Sequence, residues 1–207
     1  LDCKNAFAGV YLPSEINKKR LPIKEAKLKQ LQKECIHLDD DIRWLVALVS
    51  DTGMRLSEAV GLLVDDLVID AQQPYVNLIA HPHRRLKTDS SERIIPLVGT
   101  SLWAAQRIKQ TQNSSFCFER YCDTHNCNSN SASAAINKWI KTIAGTEAVI
   151  HGFRHGFRDR LRAVEAPVDM IDQLGGWSLR SVGQGYGDGY PLESLYRWME
   201  KIVLPQS

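Results

Sequence analysis

The chain has 207 residues, 43% of them hydrophobic, five cysteines and a formal net charge of +2. That supplies apolar material for one sizeable core but too little length for two full-sized domains. No run of about 18 apolar residues appears and the start, LDCKNAFAG, lacks the layout of a signal peptide, so a cytoplasmic protein without a membrane span is expected.

Residues 1–21, with Pro13 and the basic run Lys18, Lys19 and Arg20, read as a linker. Because the chain opens on leucine, a longer protein with a missing N-terminal region is expected upstream, with residues 22–207 as the main domain. IKEAKLKQLQKECI predicts a helix with Leu28, Leu31 and Ile36 as its apolar stripe, and DDDIRWLVALVSDTG a second, with acids at its N-terminus and a buried run behind them. MRLSEAVGLL begins a third after the Thr52–Gly53 break. The period then changes to that of strands in LVID, YVNLIA and RIIPL, which predicts a small antiparallel sheet whose last hairpin loop lies around Asp89 to Ser91. Further helices are expected at 101–111, 130–144, 153–165, 167–174, 178–186 and 191–202, with a polar loop at 112–130. The fold class is therefore α+β, mainly helical, with a three-stranded sheet.

A net charge near zero hides separated patches. Cations gather at Arg84, Arg85 and Lys87 and at Arg154, Arg158, Arg160 and Arg162, and acids at Asp39 to Asp41 and at Asp65, Asp66 and Asp70, so one face can be basic. The odd cysteine count without export signals disfavours a disulfide framework. Cys117, Cys122, His125 and Cys127 have a spacing, C-x4-C-x2-H-x-C, that matches no usual structural zinc layout, so reduced loop cysteines and no metal are expected. In HGFRHGFRDRL, His151, Arg154, His155 and Arg158 share one helical face, with Phe153, Phe157 and Leu161 opposite. That describes an amphipathic helix with a cationic stripe, fitted to solvent or to an anion.

Five spaced features now stand together: TGMRLSEAVGL at 52–62, RRLKTDSSERIIPL at 84–97, HGFR at 151–154, LGGW at 174–177 and a tyrosine nine residues after that tryptophan. In order and spacing the set resembles the tyrosine recombinase, or phage integrase, family, and the resemblance covers the catalytic domain from about residue 22 to the C-terminus. It implies a tyrosine-recombinase-like catalytic domain that breaks and rejoins DNA through a 3′-phosphotyrosyl intermediate, without a cofactor or metal. Residue by residue, it implies Arg55 and Arg154 as catalytic arginines, Glu58 as the acid holding the first, Lys87 as the catalytic lysine and His151 as the histidine of H-x-x-R. Trp177 takes the place that is histidine in many members, and Tyr186 that of the nucleophile; Tyr190 is its nearest rival. Arg84, Arg85, His155 and Arg158 are expected to contact DNA.

The implied partners are double-stranded DNA attachment sites of a phage or other mobile element. A homotetramer on DNA is expected for the full-length protein, a monomer for this fragment, and a nucleoid association in a bacterial host. The C-terminal helix, residues 191–202, has an apolar stripe for docking either on a neighbour or on its own domain. Competing functions are a type IB topoisomerase, a DNA-binding module without catalysis, and a zinc nuclease built on the 117–127 cluster.

Overall fold

Helix α1 (Glu25–Leu38) buries Leu28, Leu31 and Cys35 along one stripe, while Ile36 is exposed. Helix α2 (Asp41–Thr52) starts where the Asp40 carboxylate accepts the Arg43 backbone N–H at 3.0 Å. Its run from Trp44 to Val49 is buried on every side, which makes α2 the centre of the core, with α1, α4 (Gly99–Thr111) and α6 (His151–Ala163) packed around it. The computed structural model describes residues 20–88, 91–177 and 189–205. Asp51, at the end of α2, binds these helices together: it accepts from Gln32 Nε2 at 2.9 Å, Arg160 Nη1 at 2.9 Å and the Thr100 hydroxyl at 2.8 Å. Arg160, expected in a basic surface patch, is thereby tied into the interior.

After the short helix α3 (Leu56–Val60) and a single 3-10 turn, three strands form the expected antiparallel sheet: β1 (Leu67–Val68), β2 (Tyr75–Leu78) and β3 (Arg93–Pro96), in the order β1-β2-β3. Val76 faces Leu67 on one side and Ile95 on the other, and all three are fully buried. Strand alternation then puts Arg93, two residues before Ile95, on the same covered face.

Helices α5 (Ser129–Ala144), α7 (Val168–Gly175) and α8 (Leu192–Glu200) complete the described domain. Within this single chain α8 rests on β3 through Leu195 and Met199, and Arg160 Nη1 donates to the Ile202 carbonyl at 3.0 Å just beyond it. The stretch expected as an open polar loop is partly paired: Val64 N–H donates to Ser115 O at 2.8 Å and Cys117 N–H to Leu62 O at 3.0 Å. Cys122 and Cys127 face each other across an antiparallel bridge, 4.2 Å apart at Cα, and are joined as a disulfide, so the expectation of reduced loop cysteines is corrected for this pair. The helix expected at 178–186 lies outside the described residues. Among the described residues no helix is long and apolar enough to cross a membrane.

Candidate active site

The Thr52–Gly53 break decides the geometry of the site. Gly53 ends α2 in the left-handed conformation, φ +62°, and a Cβ there would lie 2.4 Å from Phe157 Cδ1. The turn therefore lets α6 pack close, and the Gly53 carbonyl accepts Arg154 Nη1 at 2.7 Å. Two residues later the chain presents Arg55, whose guanidinium donates to Glu58, to the Ser91 hydroxyl at 3.2 Å and to the Gly176 carbonyl at 3.2 Å. Segments far apart in sequence thus meet on two arginines.

Glu58 is buried and also accepts the Arg55 backbone N–H at 2.9 Å and Arg93 Nη2 at 3.0 Å. Burial opposes its ionisation, but the charges of Arg93 and Arg55 and their hydrogen bonds hold its carboxyl below the ordinary value. Arg93 in turn donates through Nε to Leu174 O at 2.9 Å and through Nη1 to Ser91 O at 2.7 Å. It joins β3, the Ser91 turn, α3 and the end of α7, and sequence reasoning missed it. The signal was present in RIIPL, where the alternation that buries Ile95 must also cover the arginine.

Arg154 is 5% exposed, and its Nη2 has no hydrogen-bond partner among the described residues. Its guanidinium lies 4.3 Å from the ring centroid of Trp177, which also carries Arg158 at 4.6 Å. Trp177 reaches this position by folding back over Gly175: a Cβ on that glycine would sit 1.7 Å from the indole. Burial, and then the positive charge of Arg55, push the Arg154 guanidinium down to about 9, so it stays charged at neutral pH. Three arginines, Arg55, Arg93 and Arg154, surround one carboxylate, Glu58, which leaves the site in need of an anion.

His151 opens α6, edge-on to His155 at 5.0 Å between ring centroids. Burial comes first and the nearby charges of His155, Arg20, Arg154 and Arg55 follow in pushing it down to about 4, so it is neutral at pH 7 and can accept a proton. With the folded value below the ordinary 6.5, protonation opposes folding: the contribution is complete above pH 6.5 and fades as pH falls towards 4. In an NMR titration of the DNA-free protein the His151 ring is expected to change charge near 4; a midpoint at 6.5 or above would contradict this environment.

The remaining expected residues divide. Lys87 and Arg85 are exposed on the β2–β3 connection and His155 on α6. Arg158 is half-buried and pairs with Asp172 Oδ1 at 2.9 Å. Arg84 departs from its expected DNA-facing role: it is 4% exposed, with Nη1 on Glu58 O at 2.8 Å and Nη2 on Ile79 O, and its stem packs on Gly61. Tyr186 lies outside the described residues. Its rival Tyr190 is occupied: its N–H donates to Gln173 Oε1 at 2.8 Å, its carbonyl accepts Gln173 Nε2 at 3.1 Å, and its hydroxyl donates to Asp169 at 3.0 Å. Burial and Asp169 hold that phenol above its ordinary value, the wrong direction for a nucleophile.

The sequence model of the phage integrase family matches residues 22–190. The chain belongs to the phage integrase family. This recombinase is thus an enzyme of site-specific DNA recombination, whose partner is DNA. Its fold resembles that of the Tn1549 transposon integrase in complex with circular intermediate DNA, with a TM-score of 0.61 and 17% identity over 91% of this chain and 69% of the other. The XerH site-specific recombinase bound to palindromic difH substrate, in its post-cleavage complex, gives a TM-score of 0.57 and 17% identity over 81% of this chain and 49% of XerH. No curated protein matches the recombinase significantly in sequence.

Proposed function

We propose that this recombinase cleaves and rejoins double-stranded attachment sites of a mobile element, with the Tyr186 hydroxyl attacking a phosphodiester to leave a 3′-phosphotyrosyl enzyme and a free 5′-hydroxyl. The observation that carries this reading is the buried Arg154, whose Nη2 has no hydrogen-bond partner among the described residues, converging with Arg55 from a distant segment. A phosphate already repels a nucleophile, and charge builds on its oxygens in the transition state. Two fixed guanidiniums offer planar donors to those oxygens without reorganising during reaction. Glu58 and Arg93 position Arg55, while Trp177 packs on Arg154 and has an indole N–H for a phosphate oxygen.

A tyrosine with pKa about 10 is ionised to only about one part in a thousand at pH 7, a deficit of about 4 kcal/mol. His151, neutral and at the edge of the arginine cluster, serves as general base. Lys87 protonates the leaving 5′-oxygen from the exposed hairpin, and Arg85, His155 and Arg158 contact the DNA backbone. The bond energy is kept in the covalent intermediate, so a 5′-hydroxyl of a second strand reverses the step with no nucleotide cofactor. Residues 1–21 serve as the linker from a core-binding region, and the full-length protein acts as a homotetramer at the nucleoid.

Incubation of the full-length protein with two labelled duplexes bearing the attachment sites, taken from the DNA flanking its own gene, tests this reading. Recombinant strands joined between the duplexes are expected. Relaxation of a supercoiled plasmid bearing one site, assayed in parallel, with no exchange between the duplexes would favour the type IB topoisomerase reading, and no covalent adduct at all would favour a DNA-binding module.

A further inference from the structure

Outside the arginine cluster, a ring nitrogen of His83 and the sulfurs of Cys122 and Cys127 lie within 4.8 Å of one another. The histidine comes from the β2–β3 connection and the cysteines from the segment before α5, so packing alone brings them together. We propose that, when Cys122 and Cys127 are reduced, these three side chains bind a thiophilic divalent cation of the zinc class, the disulfide being the competing metal-free state.

Both sides of the site are built before a metal arrives. The cysteines are held opposite each other by a tight loop in which Asp123 N–H donates to Asn126 O at 3.0 Å and Asn128 N–H to Tyr121 O at 2.7 Å. The Asp123 carboxylate accepts the His125 and Asn126 N–H groups at 2.7 and 2.9 Å. His83 stacks on His81 at 5.2 Å between centroids and meets the edge of Phe116 at 5.0 Å. Its Nε2 lies 3.0 Å from the Gly61 carbonyl, which accepts the ring N–H and leaves Nδ1 with the free lone pair. An imidazole whose other nitrogen is bonded to a backbone carbonyl is the usual setting of a metal-bound histidine.

Two thiolates and an imidazole suit a borderline-soft ion that takes bonds of about 2.3 Å to sulfur and about 2.0 Å to nitrogen, and neighbouring ligands of a tetrahedral ion so bound lie about 3.5–3.8 Å apart. On reduction the two bonded sulfurs part to that spacing while the His83 nitrogen, within 4.8 Å of both, closes on them, and side-chain rotations supply both shifts. Binding releases two thiol protons and changes no oxidation state: two Cys–SH, one neutral imidazole and M²⁺ give the bis-thiolate complex and 2 H⁺. His83 and Cys127 are partly exposed, so water reaches the fourth position.

The set differs from the one suggested by spacing alone. Cys117 is buried, and burial holds its thiol well above the ordinary range, while His125 is exposed and outside the gathered group. An ion here would fasten the 115–128 segment to the base of the hairpin that carries Lys87.

The test uses the 207-residue chain, reduced and stripped with chelator, its reduction confirmed by thiol count, and titrated with Co²⁺. One equivalent is expected to produce thiolate-to-cobalt charge-transfer absorption with strong tetrahedral visible bands, both bleached by Zn²⁺. His83→Gln is expected to weaken binding at least tenfold, and Cys127→Ser to remove most of the charge-transfer band. Circular dichroism verifies folding, with His83→Asn as a second variant should His83→Gln unfold. Fully reduced protein without these bands, or Co²⁺ affinity unchanged in the folded His83 variant, would overturn the assignment.

Discussion

Arg154→Lys is expected to slow covalent DNA cleavage about a hundredfold or more, the scale on which removal of one preorganised oxyanion donor acts. Lysine keeps the charge, but it has neither the planar fork nor the reach to bond the Gly53 carbonyl and a phosphate together. It also loses the flat stacking on Trp177. Single-turnover cleavage of a saturating suicide substrate separates this from weaker DNA binding. The same assay grades the repeated HGFR: His151→Ala and Arg154→Ala should cripple cleavage far more than His155→Ala and Arg158→Ala. Arg158 already spends a donor on Asp172, and His155 stands exposed one turn along. Equal losses from both pairs would remove the distinction between the copies.

Glu58→Ala is expected to cost about 3–5 kcal/mol of stability, as removal of one partner of a buried ion pair commonly does. Arg93 would keep its charge at a buried position, and Arg55 would lose the carboxylate that fixes both its backbone and its guanidinium. For a domain stable by about 5–15 kcal/mol this is a large fraction, so a much lower denaturation midpoint is the readout. Because the folded carboxyl titrates below its ordinary 4.5, its contribution is present above pH 4.5 and is lost as pH falls through the folded value. Wild-type stability should therefore decline in that acidic range more than that of Glu58→Gln. A midpoint for Glu58→Ala close to that of the native protein would mean that the pair contributes little.

Much of this was legible in the chain. The helical stripe of Leu28 and Leu31, the buried run after Asp41 and the alternation in YVNLIA and RIIPL each record a local period, and the corresponding elements form. Arg55, Glu58, His151, Arg154 and Trp177 stood at spacings that mark the family. What was hidden depends on contacts between distant segments. Arg84 looks like a surface cation beside Arg85 until Gly61 opens the space for its stem and Glu58 O and Ile79 O take its donors. Arg160 likewise reads as part of a basic patch, yet Asp51 and Ile202 draw it inward. Arg93 was obscured because a charge on a strand is ordinarily turned to solvent, and only its pairing with Glu58 makes the covered face tolerable. His83 and the Cys122–Cys127 pair share no local spacing, so no motif could join them.

We propose that the arginine cluster serves an attack by Tyr186. Its most direct test is to trap the full-length protein on a suicide substrate, digest the complex and locate the phosphotyrosyl linkage by mass spectrometry. The nucleotide is expected on Tyr186, with the adduct abolished by Tyr186→Phe and retained by Tyr190→Phe. A linkage on Tyr190, whose hydroxyl is now held by Asp169, would contradict the account.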